Sequence, residues 1–473
     1  MDLHVSLDGR RDLTGQIYRQ IRGAILDGRL RLGQTLPATR ELASRLAVSR
    51  NTVAVAYDRL AAEGFVAGRM GAGTYVSAPV EEHPAAPADG ADAPRPRPVW
   101  DAIGEPPDLS ATGAEYDFRA GVPDARLFPY QTWRRLMADE LRASAVQAGV
   151  YADPAGHPGL RAAIARHAGV SRAVRAGRDD VLVTSGCQQA VDLVARVLLS
   201  PGDRVAVEDP GYPPPAMLFS SLGLRVVGVP VDAHGLVVDA IPGDARLVYV
   251  TPSHQFPLGV PMSLPRRMAL LAWARAHHAV VLEDDYDSEF RFTGRPIEPL
   301  QSLDRHGRVV YVGSFSKVML PTLRLGFCVA PPSLHSALRT AKFVTDWHTA
   351  LPAQAALARF LDDGTLARHV RRMRSVYQAR HDLISAVLAA DLAPWLDPVP
   401  SPAGLHLSAL SGHDLRTVVG AARERGVLVQ PLSSFAVDGP PRHGLLFGYG
   451  MVPLERIPAG LALLRSALKD TLG

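Results

Sequence analysis

Cysteine is nearly absent: Cys187 and Cys328 are the only two in 473 residues. Two thiols cannot make a disulfide framework, and neither stands in a metal-ligand spacing. A secreted disulfide scaffold is excluded, and a reducing cytoplasm is the expected compartment. No apolar run approaches the roughly 18 residues of a membrane span, and the opening MDLHVSLDGRRDLTG lacks the apolar core of a leader peptide. Neither export nor membrane insertion is expected. Lysine is scarce too: taking Lys317, Lys342 and Lys469 from the 51 basic residues leaves 48 arginines. Arginine replaces lysine on a solvated surface, but not where a reaction needs a primary amine. Such chemistry has three candidates. The net charge of +4 is too small to name a nucleic-acid partner before its distribution is known.

What is present is globular, with 47% hydrophobic and 21% charged residues. At roughly 150 residues per domain the length suggests about three domain-sized units. Ser77 to Val99, SAPVEEHPAAPADGADAPRPRPV, holds six prolines, six alanines and no aromatic residue. Such a stretch buries no core and reads as an extended tether. It divides the chain into a module over 1–76, a Pro/Ala-rich linker over 77–114 and a body over 115–473.

In the module, Leu13 to Leu26 has helical periodicity, with Ile17, Ile21, Ala24 and Ile25 on one face. Thr39 is read as the N-cap of a helix through Leu46, and Ser49 as the cap of a second helix to about Glu63. Two short helices joined by a tight turn make a helix-turn-helix, whose second helix offers its first residues to base edges. Ser49, Arg50, Asn51 and Thr52 occupy that turn. Phe65-Val66 and Thr74-Tyr75-Val76 form a hairpin through Gly71-Ala72-Gly73, a wing carrying Arg69. The motifs LPxxRELA, SRxTV, LxxEG and GxGTYV resemble the winged helix of GntR-type bacterial repressors. That resemblance implies phosphate or base contacts from Arg40, Ser49, Arg50, Thr52, Arg69 and Thr74, with Asn51 beside them. Residues 1–78 hold 11 arginines and 7 acidic residues, so the charge of +4 belongs to this module and the remainder is neutral.

The body alternates apolar runs (Val181 to Gly186, Arg204 to Pro210, Arg246 to Pro252, Ala279 to Asp285, Arg308 to Ser314, Leu325 to Ala330) with helical segments such as Gln188 to Leu199 and Leu264 to His278. This is an α/β pattern with a mostly parallel sheet, followed after Thr340 by a smaller C-terminal subdomain. Polar residues gather just after the strands, where such sheets bind ligands. Lys317 ends the run Val312-Gly313-Ser314-Phe315-Ser316, with Arg324 seven residues on. An amine beside hydroxyls and a guanidinium suits an aldehyde cofactor bearing a phosphate. Gly186, Cys187 and Gln188 open a helix after a strand, an anion site. Asp284, within Glu283-Asp284-Asp285-Tyr286, can pair with a protonated ring nitrogen, and Tyr212 can stack on a flat cofactor. The acidic cluster could instead bind Mg²⁺, but no Walker motif accompanies it, and no metal is expected.

These motifs, with Tyr116 to Trp133 and Tyr151-Ala152-Asp153-Pro154-Ala155-Gly156, resemble the fold-type-I, class I/II aminotransferases. The resemblance implies a PLP-dependent transferase fold in which Lys317 forms a Schiff base with pyridoxal 5′-phosphate. It further implies that Asp284 faces the pyridine nitrogen, Tyr286 the phenolic oxygen, and Tyr212 the ring. Gly186, Cys187, Gln188, Ser314, Ser316 and Arg324 would surround the phosphate. Tyr151 would reach the partner subunit's phosphate in a homodimer. The order of winged helix, linker and aminotransferase body, with Thr251 to Gly259 (TPSHQFPLG), resembles the MocR/GabR regulators. Two departures stand out. Phe256 replaces the asparagine of the aminotransferase Asn-Pro-x-Gly, with His254 as the nearest substitute. Gly444-Leu445-Leu446-Phe447 lacks the arginine that anchors a substrate carboxylate, a loss of roughly 1.5–3 kcal/mol. The family reading is a cytoplasmic, nucleoid-associated regulator of double-stranded promoter DNA, responding to pyridoxal phosphate or an amine or amino acid, with vitamin B6 genes as candidate targets. The alternative is an active aminotransferase carrying a DNA-binding module; a residual half-reaction is compatible with either.

Overall fold

Amphipathic spacing makes Leu13–Leu26 the first helix, α1, which buries Ile17, Ile21, Ala24 and Ile25 as expected. α2 spans Thr39–Arg45 and α3 Arg50–Ala62. Ser49 caps α3, its hydroxyl accepting from the Thr52 N–H at 3.1 Å. Thr39 does not cap α2: it is the first helical residue, and Ala38 occupies the N-cap with no side-chain bond. The helix therefore begins one residue earlier than the threonine suggested, and the extended segment after Pro37 ends at Ala38. β1 (Val66–Arg69) pairs antiparallel with β2 (Gly73–Val76). The wing is tied down by Leu36 N–H donating to Thr74 O at 2.7 Å. Ile17, Ile21, Val53, Ala56, Leu60, Val66 and Val76 share one buried core.

This computed structural model describes residues 5–9, 11–69, 73–77, 95–103, 114–142, 150–294 and 298–473. The wing tip Gly71-Ala72, the side chain of Arg69 and most of the Pro/Ala-rich tether lie outside the described residues. The chain divides into two compact units, Met1–Pro96 and Arg97–Gly473. Within the second, Arg97 and a short helix α4 (Val99–Ile103) belong to the body, with Arg97 donating to Ser221 O at 3.0 Å.

The strands of the body are β3 (Tyr116–Asp117), β4 (Val181–Thr184), β5 (Arg204–Asp209), β6 (Arg225–Asp232), β7 (Gly235–Leu236), β8 (Ala245–Val250), β9 (Val280–Asp285), β10 (Val309–Ser314) and β11 (Gly326–Val329). Its first helices are α5 (Tyr130–Glu140), α6 (Pro158–Arg172), α7 (Cys187–Leu198), α8 (Pro213–Ser221) and α9 (Leu264–Ala276). The main sheet has eight strands in the order β4-β11-β10-β9-β8-β5-β6-β7. From β10 to β6 the pairing is parallel, while β11 runs against both β10 and β4. Parallel strands covered on both faces need continuous apolar runs, which is why those runs were readable. β6 was not among the expected strands; its burial alternates and Gly228 and Pro230 interrupt it.

A short α10 (Leu300–Leu303) lies between β9 and β10, and C-terminal to the sheet come α11 (His335–Asp346), α12 (Leu351–Asp362) and the long α13 (Thr365–Asp391). A four-stranded antiparallel sheet follows, β12 (Asp397–Pro398), β13 (His406–Leu410), β15 (Gln430–Pro431) and β16 (Gly444–Gly448), in the order β12-β13-β16-β15. β14 (Val427–Leu428) pairs with β3, and α14 (Arg416–Glu424) and α15 (Ile457–Leu472) complete the subdomain.

Candidate functional site

The carboxyl ends of β4, β5, β8, β9 and β10 point to one edge of the sheet, and reversed β11 brings its start, just after Arg324, to the same edge. Gly186 ends the β4 turn at φ 83°, a conformation glycine adopts without penalty. A Cβ there would stand 2.7 Å from the Arg324 guanidinium. That guanidinium donates to Ser185 O at 2.8 Å and lies over the start of α7. No side chain caps α7, so its first N–H groups face this cradle with the positive end of the helix dipole. Ser314 Oγ accepts from the Ser316 N–H at 3.1 Å, folding the β10 turn toward the same place. Gln188 donates its side-chain amide to Pro214 O at 2.9 Å.

Lys317 Nζ donates to Gly121 O at 2.5 Å. Burial pushes its ammonium pKa below the usual lysine value, while the carboxylates of Asp287 and Asp284 oppose that shift. Asp284 is buried at the end of β9, beside Val312 of β10. Its Oδ2 accepts from Tyr249 OH at 2.6 Å and from the Cys187 thiol at 3.0 Å. Its Oδ1 is buried and accepts no hydrogen bond among the described residues. Burial raises the Asp284 pKa, and the two donors hold it down. Cys187 thus contributes its backbone to the α7 terminus but aims its sulfur at Asp284. Tyr249 was absent from the sequence-based candidates. A tyrosine inside an otherwise apolar strand was the available signal, because a buried phenol needs a partner.

Tyr286 donates to His254 O at 2.8 Å and lies 3.2 Å from His254 Nδ1. The structure directs His254 inward. Its Nδ1 is 3.0 Å from Asp287 Oδ2 and its Nε2 is 2.9 Å from Ser401 Oγ, so both ring nitrogens are engaged within the protein. His406 stacks beside it at 4.4 Å, and burial lowers the His406 pKa well below the usual histidine value. Ligand atoms of His254, Asp287 and His406 lie within 4.8 Å of one another; the hydrogen bonds of His254 account for its place in that cluster. Asp287, Ser401 and His406 were not legible as site residues, since 147 positions separate Ser401 from the histidine it meets. Tyr212, at the start of α8, is 39% exposed and sets its ring edge against Phe256 at 5.4 Å. Tyr151 is 72% exposed and packs on Trp347 at 3.9 Å between centroids.

In the first unit, Arg40, Ser49, Arg50 and Asn51 are exposed, and Thr52 is half-buried. Ser49 and Thr52 bond to each other at 2.8 Å as part of the cap. No ion pair or hydrogen bond engages the guanidinium of Arg40 or Arg50 among the described residues, whereas neighbouring Arg45 pairs with Glu41. Thr74 lies half-buried on β2 opposite Gly68.

A winged helix and an aminotransferase-like sheet on one chain define a class of transcription regulators. The description of bacterial regulatory proteins of the gntR family matches residues 13–76, and that of aminotransferase class I and II matches residues 117–444. The chain is 38% identical over 470 residues to the probable rhizopine catabolism regulatory protein MocR of Rhizobium meliloti, covering 96% of this chain and 93% of that one. It is 32% identical to the HTH-type pyridoxine biosynthesis transcriptional regulator PdxR of Corynebacterium glutamicum, with 95% of each chain covered. Among solved structures, the kynurenine aminotransferase of Pyrococcus horikoshii in complex with PMP aligns at a TM-score of 0.72 and 27% identity, covering 80% of this chain and 96% of that one. The chain belongs to the MocR/GabR family of GntR-type regulators with a class I/II aminotransferase body, whose cofactor is pyridoxal 5′-phosphate.

Proposed function

We propose that this protein binds promoter DNA through its winged helix and that occupancy of the body by pyridoxal phosphate, alone or joined to an amine, changes that binding. The supporting observation is a donor set that suits the cofactor and is left open by the protein. Among the described residues, Asp284 Oδ1 accepts no hydrogen bond, no side chain caps α7, and Lys317 Nζ bonds only to a carbonyl. In this reading Lys317 holds the aldehyde carbon, and Asp284 Oδ1 takes the ring N–H. Tyr286 serves the phenolic oxygen with His254 behind it, and Tyr212 covers the ring. Gly186, Cys187 and Gln188, through α7, hold the phosphate with Ser314, Ser316 and Arg324. The bound group supplies an electron-withdrawing aldehyde and ring; the protein supplies placement and charge.

On DNA, Arg40, Arg50, Asn51, Arg69 and Thr74 make the contacts, with Ser49 and Thr52 fixing the end of the reading helix. The proposed boundaries are a winged helix over 1–76, a linker over 77–114 whose Arg97 and α4 pack with the body, and a cofactor body over 115–473. The exposed Tyr151 favours a homodimer in which it reaches the partner subunit's phosphate site. The relative named for pyridoxine biosynthesis supports vitamin B6 genes as targets; cytoplasmic, nucleoid-associated action follows from the DNA-binding role. A ligand shifts DNA affinity only by its differential binding to the two states. The test is a promoter shift and footprint with and without pyridoxal phosphate. Identical affinity and footprint, with unchanged transcription, overturn the switching role.

A further inference from the structure

Of the three lysines, only Lys342 is fully buried, and the cofactor reading gives it no part. Lys342, on α11, is 0% exposed. Its ammonium donates to Asp346 Oδ1 and Oδ2 at 2.6 and 2.8 Å, to Gln189 Oε1 at 2.9 Å and to Thr349 Oγ1 at 3.2 Å. Each N–H of the ammonium thus has a residue to meet, and one carboxylate balances the charge. Burial lowers the Lys342 pKa, and the hydrogen bond and charge of Asp346 oppose that shift. Arginine, which serves in place of lysine over most of this chain, has no compact ammonium to aim at such a set of acceptors.

What the ammonium holds is the turn after β4. Ser185 commits every polar group it has to another part of the protein. Its N–H donates to Gln189 Oε1 at 2.8 Å, its hydroxyl lies 3.3 Å from Thr349 Oγ1, and its carbonyl accepts from the Arg324 guanidinium at 2.8 Å. Two of these partners, Gln189 and Thr349, are themselves bonded to Lys342. Gln189 Nε2 also donates to Asp346 Oδ2 at 2.8 Å, so only one orientation of that amide satisfies all its neighbours. Turned over, its NH₂ would face an N–H and an ammonium. The segment that supplies Asp346 and Thr349 is pinned as well. Trp347 between them holds φ 63°, a region that bulky side chains rarely enter and that persists only under constraint. Directly after the anchored Ser185 come Gly186 and the start of α7, which no side chain caps.

We propose that Lys342 is a positioning residue for the cofactor's phosphate: through Gln189 and Thr349 it fixes Ser185, and so sets the direction of the N–H groups that open α7. The inference rests on the phosphate cradle of the cofactor reading and extends it to a residue outside the cradle. Lys342 bonds none of the residues assigned to the ring or the aldehyde. Its loss should therefore be felt by a ligand that carries the phosphate and ignored by one that does not. In Lys342→Met an apolar chain of similar length keeps the space filled. Gln189 Oε1, Thr349 Oγ1 and Asp346 lose their common donor, and the amide is free to turn over. A turn loosened in this way must be ordered again each time a phosphate binds.

The test titrates unloaded full-length protein, wild type and Lys342→Met, with pyridoxal phosphate and with pyridoxal, which lacks the phosphate, following the visible band. Each ligand is compared with itself across the variants, so differences in its own solution chemistry cancel. Lys342→Met should half-saturate at about 10- to 100-fold more pyridoxal phosphate, while its pyridoxal titration shifts by less than about 3-fold. Urea unfolding of the unloaded proteins, run alongside, records any loss of stability. A lysine with a merely structural role would lower stability and weaken both ligands alike. Equal weakening of the two ligands therefore overturns the proposal, and so does an unchanged response to pyridoxal phosphate. Thr349→Val removes the hydroxyl between Lys342 and Ser185 and keeps the shape. It should show the same selectivity at about 3- to 10-fold, and it decides the matter if Lys342→Met does not fold. Wild-type protein that takes both ligands equally well is a different result and removes the phosphate cradle itself.

Discussion

Asp124 holds two arginines on one carboxylate, and replacing each in turn separates buried from exposed electrostatics. Arg380, on α13, sends Nη2 to Asp124 Oδ2 at 2.7 Å and Nη1 to the carbonyls of Tyr449 and Gly450 at 3.1 and 2.8 Å. The Arg380 and Asp124 side chains are 5% and 3% exposed. Arg126 bonds the same carboxylate at 2.8 Å but is 58% exposed. Burial alone would raise the Asp124 pKa; the two guanidiniums outweigh it and hold the carboxyl below its usual range. Arg380→Ala leaves a buried carboxylate with one solvated partner and two carbonyls with lost donors. Removing one member of a buried pair costs about 3–5 kcal/mol. Arg126→Ala should cost about 0–1 kcal/mol, since water replaces an exposed partner cheaply. All five tryptophans lie beyond residue 99, so urea unfolding followed by tryptophan fluorescence reports on the body alone. Asp124 follows the segment whose Gly121 carbonyl holds Lys317, so Arg380→Ala should also weaken cofactor retention. Equal costs for the two variants, within about 0.5 kcal/mol, refute the claim that burial sets the value of this pair.

The remaining predictions concern pH, DNA and Lys317. Burial raises the Glu208 pKa to about 7, against opposing hydrogen bonds from Thr251. The folded state therefore binds a proton that the unfolded state has lost between about pH 4.5 and 7, and Glu208 lowers stability as pH rises through that window. Glu208→Gln should flatten the stability profile there and raise stability at pH 8, by roughly 3 kcal/mol at most; denaturant titrations at pH 5 and 8 check it, and a profile parallel to wild type refutes it. Arg50→Ala should weaken promoter binding across sequences and reduce the salt slope by about 1, whereas an unchanged slope places Arg50 off the phosphates. Lys317→Ala should lose the visible band of the loaded protein and any cofactor effect on DNA binding, read in the same samples by absorbance and gel shift.

The elements legible in the sequence were those whose signal is local. α1 matched its apolar stripe residue for residue, and Ser49 was readable as a cap because its partner lies three residues on. The buried parallel strands were readable as short apolar runs, Val280-Val281-Leu282 in β9 and Val309 to Val312 in β10. Where a signal depends on distant chain, it failed or was silent. Thr39 looked like a cap by type but not by position. His254 could be named as polar and near the site, yet only the fold shows it held by Asp287 and Ser401. Tyr249 and the open oxygen of Asp284 emerge from packing between strands. The reversed direction of β11 left no trace in its composition.

That reversal governs when a newly made chain can first take up its cofactor. Arg324 reaches back 139 residues to Ser185, and only a completed β4-β11-β10 edge brings them together. Contacts between distant parts of a chain form slowly, so the phosphate cradle comes late in assembly. Bound pyridoxal phosphate then stabilises the finished body by mass action, through a cradle that joins the two ends of this sheet edge.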